Sequence, residues 1–572
     1  MKLPLDKLND LVRVFALSVY AVLIGIAGGL FAIFFRLLIS LFHNLFFAGT
    51  WSFYYNPMEL TPESPWGAGF IFIPVLGALL VAVVVSRYAP EIRGSGVPHV
   101  LRSIYFEEGK IHWRIAGLKS IASAITIGSG ASVGREGPIV QISAAFGALL
   151  GFRQAPSERA ILISAGAASG IAAFFNAPLG GLFFAIEFML PAINVFSLLP
   201  VAIAVIIANS VTAGLIGHYH LVPQDVAAHW LCMVNSAYLW PAFVGLGVLA
   251  GLYGIVFQLG IRRVKNFLAV YSHRFWVRYA TGMLGVGFTL YLFEYFFGGY
   301  YVDGVSFAAP AALLEGAEYS LGFIVLLLLG KYVTTVLSLA SGASGGIFSP
   351  LIFAGGILGA FYAGILARLL PGTDIPVTLL ILAGMASGIG GASGRVLAGA
   401  LVVAEMSGVD LMIPLVLLSA ISAGVVHRVF LRQNVYDESL WLRGMAPHDS
   451  LMAARSNNTP VRDIINRQIR VVTGPIPPTA EVPFVDGTVK LLRHAPDGFW
   501  YWLTRSGQAP EKIHAQRLLL LRGDAAVSFC QAEMRAQKLP GAVVASRNGH
   551  VLGMITEHEL CRYEAEVATL LW

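Results

Sequence analysis

The sequence predicts an all-α polytopic membrane protein, followed by a small polar domain of mixed α/β structure. Of the 572 residues, 56% are hydrophobic and only 12% are charged, whereas soluble domains contain about 25% charged residues. Charged residues are sparse up to position 428 and more than twice as dense after it. The apolar part also contains an internal repeat. These three observations argue against a soluble enzyme and predict a membrane body with a polar tail.

The first apolar stretches are long enough to span a bilayer. Between Arg13 and Arg36 lie 22 uncharged residues, and 23 more follow Glu63, whereas a transmembrane helix needs about 20. Lys2 and Lys7 precede the first stretch, so the positive-inside rule places the N-terminus in the cytoplasm. We therefore expect a retained membrane helix and not a cleaved signal peptide.

Four glycine-rich or proline-containing strings interrupt the apolar sequence. They occupy 94–98, 128–138, 176–178 and 341–350. Such strings break helices, and broken backbone at membrane depth is tolerated only where protein or a watery cavity satisfies its polar groups. The alternative is that each string is a loop outside the membrane that joins two short helices. Because the strings recur, we favour broken helices within the membrane.

The interrupted segments occur twice in the chain. A shift of 212 or 218 residues superimposes one half, roughly 10–220, on the other, roughly 235–445. The superimposed residues include Lys119 with Lys331, 129–132 with the identical 341–344, Gly134 with Gly346, and Glu187 with Glu405. Repeats with interrupted hydrophobic segments are typical of transporters and channels whose site lies between the repeats. Sequence identity alone leaves open whether the repeats are parallel or inverted.

The glycine-rich strings favour a binding site for an anion. Each precedes an apolar run that is typical of a helix start, and helix N-termini present free N–H groups and a positive dipole end. Neutral donors would be added by the hydroxyls of Ser95, Ser129, Ser132 and Tyr436. Such donors suit a halide that must also leave, because full pairing with arginine or lysine would hold it too tightly.

Other classes of protein find little support. The net charge of +6 is small and scattered, so nucleic acid is not an expected partner. The three cysteines form no CxxC motif, which argues against a metal site. A membrane-embedded enzyme would need a nucleophile or metal constellation such as HExxH, and His112, His218, His220 and His229 show no such spacing, so we expect neither enzymatic activity nor a cofactor. A cation-coupled solute transporter would need clustered carboxylates in the membrane body.

Four motifs resemble those of the CLC family of chloride channels and chloride/proton exchangers. In chain order they are Gly94-Ser95-Gly96-Val97-Pro98, Gly134-Arg135-Glu136-Gly137-Pro138, Gly346-Ile347-Phe348-Ser349-Pro350 and Asn434-Val435-Tyr436. The resemblance covers roughly residues 10–445. It implies a homodimer in the lipid bilayer of a bacterial inner membrane, with one anion pathway per subunit and two inverted halves of broken, tilted helices.

The resemblance also assigns residues to the pathway. The central chloride would be bound by the hydroxyls of Ser95 and Tyr436 and by the backbone amides of Ile347 and Phe348. Lys119 matches a family lysine near the pathway, with a structural role beside a helix C-terminus as the alternative. The other motif residues of the pathway are Gly94, Gly96, Pro98, Gly134, Arg135, Gly137, Pro138 and Gly346.

Glu136 is an ionisable residue within a glycine-rich break, and intramembrane ionisable residues generally mark pathways. The resemblance implies a gating glutamate, whose carboxylate occupies an anion site when ionised and leaves it when protonated. Protons would then act as gating ligands. The alternative is a structural carboxylate paired with Arg135 or Lys119. Glu187 and Glu405 are expected to cap structure and to have no transport role.

Phe188 departs from the family pattern. It follows Glu187, at the position where exchangers of the family commonly carry a second glutamate that relays protons from the cytoplasm. Because a phenyl ring neither carries nor hydrogen-bonds a proton, we expect passive conduction of chloride and of other small anions. A coupled chloride/proton antiporter is the alternative.

The tail predicts a second domain, residues 447–572, after a membrane domain of residues 1–446. Family members often carry a pair of cytoplasmic CBS modules here. The sequence from 541–545 through Asn548-Gly549 to 552–556 is typical of a strand, turn, strand and helix, whereas 459–505 matches the module poorly. We expect a degenerate CBS-like regulatory domain in the cytoplasm, which either binds a nucleotide or supports the dimer without a ligand.

Overall fold

The chain divides into two units, Met1–Gly444 and Met445–Trp572. The computed structural model describes residues 5–88, 92–191, 193–217, 221, 239–304, 306–408, 412–431, 433–436, 438, 461–467, 469–472, 490–494, 499–505, 513–523, 525, 527–546 and 550–570. Within these ranges, nine helices are long and apolar enough to cross a membrane. The boundary predicted at 446/447 and the predicted turn at Asn548-Gly549 lie outside the described residues.

The first repeat consists of helices that are apolar on most of their surface, as buried and membrane-spanning helices are. They are α1 (Leu5–His43), α2 (Ile73–Tyr88), α3 (Val97–Phe106), α4 (Trp113–Gly128), α5 (Glu136–Leu150), α6 (Pro156–Phe175), α7 (Pro178–Phe184) and α8 (Val195–Ile216). Two π-helical turns extend this set, Asn44–Ala48 after α1 and Ala185–Met189 after α7. A 3-10 helix, Gly67–Phe72, precedes α2.

The second repeat follows the same order. Its helices are α9 (Leu239–Tyr271), α10 (Phe275–Phe297), α11 (Ala308–Leu314), α12 (Leu321–Ser341), α13 (Phe348–Leu369), α14 (Val377–Ser393), α15 (Val396–Ser407) and α16 (Ile413–Phe430). The starts of α5 and α13 are 212 residues apart, and the starts of α7 and α15, and of α8 and α16, are 218 apart. The offsets predicted from sequence therefore carry over to the helix boundaries.

The helix breaks lie where the sequence predicts them. A non-helical segment separates α4 from α5, and another separates α12 from α13. Gly130 and Gly342, which the 212-residue shift superimposes, have φ angles of +102° and +100°. Only glycine adopts this region of backbone conformation without strain. Each repeat therefore turns at an equivalent glycine before a new helix begins.

The second unit contains strands β1 (Ile469–Val472), β2 (Lys490–His494), β3 (Trp500–Arg505), β4 (Ile513–Arg522), β5 (Gly541–Ala545) and β6 (Val551–Thr556), in that order across one sheet. Helix α17 (Val527–Gln537) connects β4 to its parallel neighbour β5, and α18 (Glu557–Leu570) follows β6. The antiparallel pairing of β5 and β6 and the helix after them are as expected for the end of a CBS-like module.

Candidate anion site

Three glycine motifs meet at the centre of the first unit. Gly134 N donates to Gly346 O at 2.7 Å, and Gly346 N donates to Gly134 O at 2.6 Å. These glycines are equivalent in the two repeats, so their reciprocal pairing defines a local two-fold axis. A Cβ placed on Gly137 would lie 3.1 Å from Gly96 N and 3.3 Å from Gly346 N. The N-termini of α3, α5 and α13 therefore converge, as an anion site requires.

Glu136 is the first residue of α5, and its side chain is fully buried at this junction. Glu136 Oε1 accepts a hydrogen bond from Phe348 N at 2.5 Å, and Oε2 accepts one from Ser349 Oγ at 3.2 Å. The carboxylate folds against Gly134 and Gly346, where any Cβ would collide with it. The carboxyl group of Glu136 thus occupies the donors at the start of α13, one of which is an amide that the CLC resemblance assigns to chloride.

The two cations considered as partners of Glu136 have other contacts. Lys119 is buried, and its Nζ donates to the carbonyl oxygens of Ile92 and Gly94. The Arg135 guanidinium lies 4.8 Å from the centroid of the Phe174 ring, within the range of a cation–π interaction. Lys119 therefore holds the segment that precedes Ser95 rather than the carboxylate.

Ser95 and Tyr436, the predicted chloride ligands, are both at the site. Ser95 Oγ is shielded from solvent and has no hydrogen-bond partner among the described residues, which is costly unless a ligand supplies one. The adjacent Gly94 pairs with Ser344, close to the start of α13. Tyr436 is 2% exposed, its ring centroid lies 6.4 Å from that of Phe348, and its hydroxyl interacts electrostatically with Glu136. Ile347 is also buried.

Phe188 packs against this site. Its ring is 4% exposed, and its centroid lies 5.6 Å from the Tyr436 ring and 6.2 Å from the Phe348 ring. On another side, the guanidinium of Arg395 lies 5.3 Å from the Phe188 centroid. An apolar ring therefore closes one side of the predicted chloride site, and a cation covers that ring.

Glu187 points to different neighbours from Phe188, as expected for successive helical residues. Its carboxylate accepts from Leu397 N at 3.0 Å and Ala398 N at 2.8 Å, at the start of α15. The repeat-related Glu405 makes the equivalent contacts with the first repeat. It accepts from Leu179 N at 3.0 Å and Gly180 N at 2.8 Å, at the start of α7. Each glutamate thus caps a helix of the opposite repeat, which confirms the expected capping role.

A hydrogen-bonded network holds the segment that carries Tyr436. Gln258 of α9 donates from Nε2 to Gln433 O at 3.1 Å and to Glu438 Oε2 at 2.9 Å. Its Oε1 lies 3.0 Å from His427 Nε2 of α16. One amide side chain therefore ties Tyr436 to two helices, through residues on both sides of it.

Sequence reasoning missed some of these groups and misplaced others. Ser349 lies in the third motif, but the sequence assigns it no role. The 212-residue shift superimposes its neighbour Phe348 on Glu136, and this spacing is the signal that could have identified Ser349. Gln258 carries no motif at all. Ser129 Oγ and Ser132 Oγ, expected to bind the anion, are engaged with Thr126 O at 3.0 Å and Thr335 Oγ1 at 2.8 Å. These two hydroxyls instead connect the segment between α4 and α5 to helices α4 and α12.

Converging helix N-termini within two interrupted repeats define an integral membrane protein built around an anion site. A sequence model of the voltage gated chloride channel family matches residues 77–427, which is more than half of the chain, so the chain belongs to this family. The CLC resemblance of its motifs is thereby confirmed.

Relatives agree with this assignment. The chain is 29% identical over 452 residues to the H(+)/Cl(-) exchange transporter ClcA of Vibrio parahaemolyticus serotype O3:K6, which covers 76% of this chain and 92% of that protein. It is 30% identical over 398 residues to ClcA of Salmonella gallinarum, covering 68% and 81%.

Solved structures share the fold. A slow cyanobacterial Cl-/H+ antiporter aligns with a TM-score of 0.60 and 22% identity over 75% of this chain and 97% of its own. A eukaryotic CLC transporter aligns with a TM-score of 0.58 and 17% identity over 96% of this chain and 98% of its own. The all-helical body with a small sheet domain is therefore the CLC architecture.

Proposed function

We propose that the protein exchanges chloride for protons across the membrane, with Glu136 as the group that alternates between the two. One observation carries this proposal. The carboxylate of Glu136 occupies hydrogen-bond donors at the start of α13 that would suit an anion, namely Phe348 N and Ser349 Oγ. A charged group and a chloride ion cannot use the same donors at once.

The chemistry of these donors links protons to anions. While Glu136 is ionised, its charge-assisted hydrogen bonds exclude chloride from the start of α13. Protonation removes the charge, weakens those bonds and releases the side chain, so that chloride takes its place. Ser95 Oγ and the Tyr436 hydroxyl provide the adjacent neutral donors, from which chloride leaves readily. Each cycle of the carboxylate thus moves a proton one way and an anion the other.

The relatives favour exchange over passive conduction, because curated proteins similar to this chain are named as H(+)/Cl(-) exchange transporters. Passive conduction is the second candidate, and Phe188 favours it. Its buried ring lies beside Tyr436 and Phe348, where it offers no group that binds a proton. Exchange through this protein then needs a proton path that passes around Phe188, for instance along water.

Paired ion measurements on proteoliposomes separate the two candidates. Exchange predicts that an outward chloride gradient drives protons inward against their own gradient, with a fixed ratio of chloride to protons. Passive conduction predicts chloride movement that sets the membrane potential without uphill proton movement. If a well-folded protein shows neither chloride flux nor proton flux, both candidate functions are rejected.

Further features of the assembly are proposed together with this function. We expect a homodimer with one pathway per subunit, in a bacterial inner membrane, with both termini in the cytoplasm. The second unit would then be a cytoplasmic regulatory domain. We expect transport to need no cofactor and no enzymatic step, and a nucleotide remains a candidate ligand of the second unit alone.

A further inference from the structure

A buried ionisable pair lies outside the anion site. His43, at the end of α1, is 4% exposed, and Asp303, in the loop before α11, is fully buried. His43 Nε2 lies 3.6 Å from Asp303 Oδ2. Thr61 Oγ1 donates to the same Oδ2 at 3.2 Å and lies 3.5 Å from His43 Nε2. Buried charges are normally paired in this way.

Aromatic rings enclose the imidazole of His43 on both faces. Phe47 stacks on one face with a centroid distance of 4.3 Å, and Tyr55 stacks on the other at 3.8 Å. The faces of aromatic rings attract cations, and the attraction strengthens where water is excluded. Two stacked rings and a carboxylate therefore surround the imidazole, so that a charge gained by the ring meets an anion and two aromatic faces.

The polar atoms of the pair are incompletely satisfied. His43 Nδ1 and Asp303 Oδ1 are shielded from solvent, and neither has a hydrogen-bond partner among the described residues. Structures rarely leave two such atoms buried in one cluster without a role. A proton that binds to the imidazole turns the Nε2–Oδ2 contact into a buried ion pair.

The surroundings connect this cluster with the segment that carries Glu136. Lys331 Nζ donates to the carbonyl oxygens of Asp303, at 3.0 Å, and of Gly304, at 3.1 Å. Gly304 N in turn donates to Gly130 O at 3.4 Å, in the non-helical segment before α5. Arg135, next to Glu136, interacts electrostatically with Tyr55. The described ionisable groups that face the pair are thus Tyr55, Lys331 and, through Tyr55, Arg135.

We propose that His43 and Asp303 form a second proton-binding site, which senses pH and raises anion transport when His43 is protonated. The added positive charge lies in a cluster that connects, through Gly304 and Gly130, to the segment before α5, where it favours the approach of an anion. Histidine is suited to this role because its charge changes between about pH 5 and 8. The site differs from Glu136 in residue type, in elements and in consequence, since its proton is not exchanged for chloride.

The test uses chloride efflux from proteoliposomes, and its readout rests on the proposed chloride transport. Four proteins are compared across about pH 5 to 8: the parent, Glu136→Gln, His43→Gln and the double variant. We expect Glu136→Gln to keep a smaller rise in flux on acidification and the double variant to lose it. His112→Gln in the Glu136→Gln background is the control, because His112 is an exposed histidine at the start of α4, outside this cluster and outside the anion site. It should keep the rise.

The outcomes distinguish this site from the gate. A Glu136→Gln protein with no remaining pH dependence would overturn the second proton site while leaving the gate intact. A Glu136→Gln protein as pH-dependent as the parent would reject the gate, and His43→Gln alone would then show whether the pair carries the whole response. Loss of the residual response in His112→Gln but not in His43→Gln would also overturn the proposal.

A milder variant guards against misfolding of His43→Gln. Tyr55→Leu keeps the histidine and the carboxylate but removes one stacked ring. In the Glu136→Gln background it should weaken the residual pH response, because one of the two stacked rings is lost. An unchanged response in a folded protein would contradict the stacking argument.

Discussion

The central junction and the capping pair are both crossings between the two repeats, and they differ in symmetry. Glu187 and Glu405 make equivalent hydrogen bonds, each pair at 3.0 and 2.8 Å, to equivalent helix starts. At the centre, the glycines pair symmetrically, but Glu136 of one repeat is replaced by Phe348 in the other. The symmetric contacts of Glu187 and Glu405 hold helices in place. The asymmetric contact at the centre supplies the carboxylate of Glu136, on which the proposed exchange depends.

The buried lysines show the same division. Lys119 and Lys331 occupy equivalent positions, and each donates to backbone carbonyls of the segment before a short helix. The carbonyls that Lys331 contacts include that of Asp303, whose side chain is a carboxylate, whereas the segment that Lys119 contacts leads to Ser95. Equivalent lysines thus support unlike side chains, one at the proposed proton site and one at the proposed chloride site.

The largest expected effect comes from Glu136→Gln. The variant keeps the shape of the side chain but not its charge, so chloride flux should stay high, proton coupling should disappear and most of the pH dependence should be lost. The matched control is Phe348→Leu, which changes the equivalent residue of the other repeat and retains its backbone amide. It should remain pH-dependent, as measured by chloride efflux and proton uptake together. Equal loss of pH dependence in both variants would remove the distinction between the two positions.

A smaller effect is expected at the neutral donors. Ser95→Ala and Tyr436→Phe each remove one hydroxyl, and a neutral hydrogen bond contributes about 0.5–1.5 kcal/mol. Chloride affinity should therefore fall about 2- to 10-fold for each variant, as measured by calorimetry. Ser129→Ala is the control, because the Ser129 hydroxyl is bonded to Thr126 O. An affinity unchanged in the double variant would exclude both hydroxyls from the chloride site.

The capping pair should respond symmetrically. Glu187→Gln and Glu405→Gln each remove the negative charge that caps a helix N-terminus, which should lower the free energy of unfolding by about 1 kcal/mol. Thermal unfolding in detergent should show similar falls in Tm for the two variants. A loss of proton coupling in Glu187→Gln alone would instead assign that residue to a proton path around Phe188.

The smallest effect is expected for Gln258→Leu. Its loss frees the segment of Tyr436 from α9 and α16 without removing any chloride ligand. Chloride affinity should fall by less than in Tyr436→Phe, while the pH dependence set by Glu136 should persist. Gln258→Glu, which keeps an acceptor for His427 but loses the donor to Gln433 O and Glu438 Oε2, should not restore the affinity. A fall as large as that of Tyr436→Phe would make Gln258 part of the site itself.

The sequence predicts much of the fold because the fold depends on local signals. Glycine-rich strings mark the helix breaks, and the offsets of 212 and 218 residues recur in the helix starts. The contacts between the repeats could not be predicted in the same way. That Glu136 folds back on Phe348 N, or that Glu187 reaches Leu397 N, depends on how two distant helices pack. A single sequence contains no signal for which distant helices pack together.

The polar clusters show where such prediction ends. Ser349 lies in a motif that assigns it no role, and Gln258 lies in no motif. Their contacts with Glu136 and with the segment of Tyr436 give them a role, and those contacts are seen only in the structure. Thr61 and Asp303 are separated by 242 positions along the chain, His43 lies still farther from Asp303, and none of the three lies in a motif. In contrast, Ser95 and Tyr436 were identified because their motifs are specific.

Diffraction from crystals grown with bromide, whose anomalous signal marks anion positions, tests the central claim most directly. In the parent, the donors at the start of α13 should carry the carboxylate of Glu136, and bromide should lie beside Ser95 and Tyr436. In Glu136→Gln, an additional bromide should bind within hydrogen-bond distance of Phe348 N and Ser349 Oγ. If that position stays free of bromide in a folded Glu136→Gln protein that binds bromide at Ser95, the carboxylate does not compete with an anion, and the proposed link between protons and chloride is contradicted.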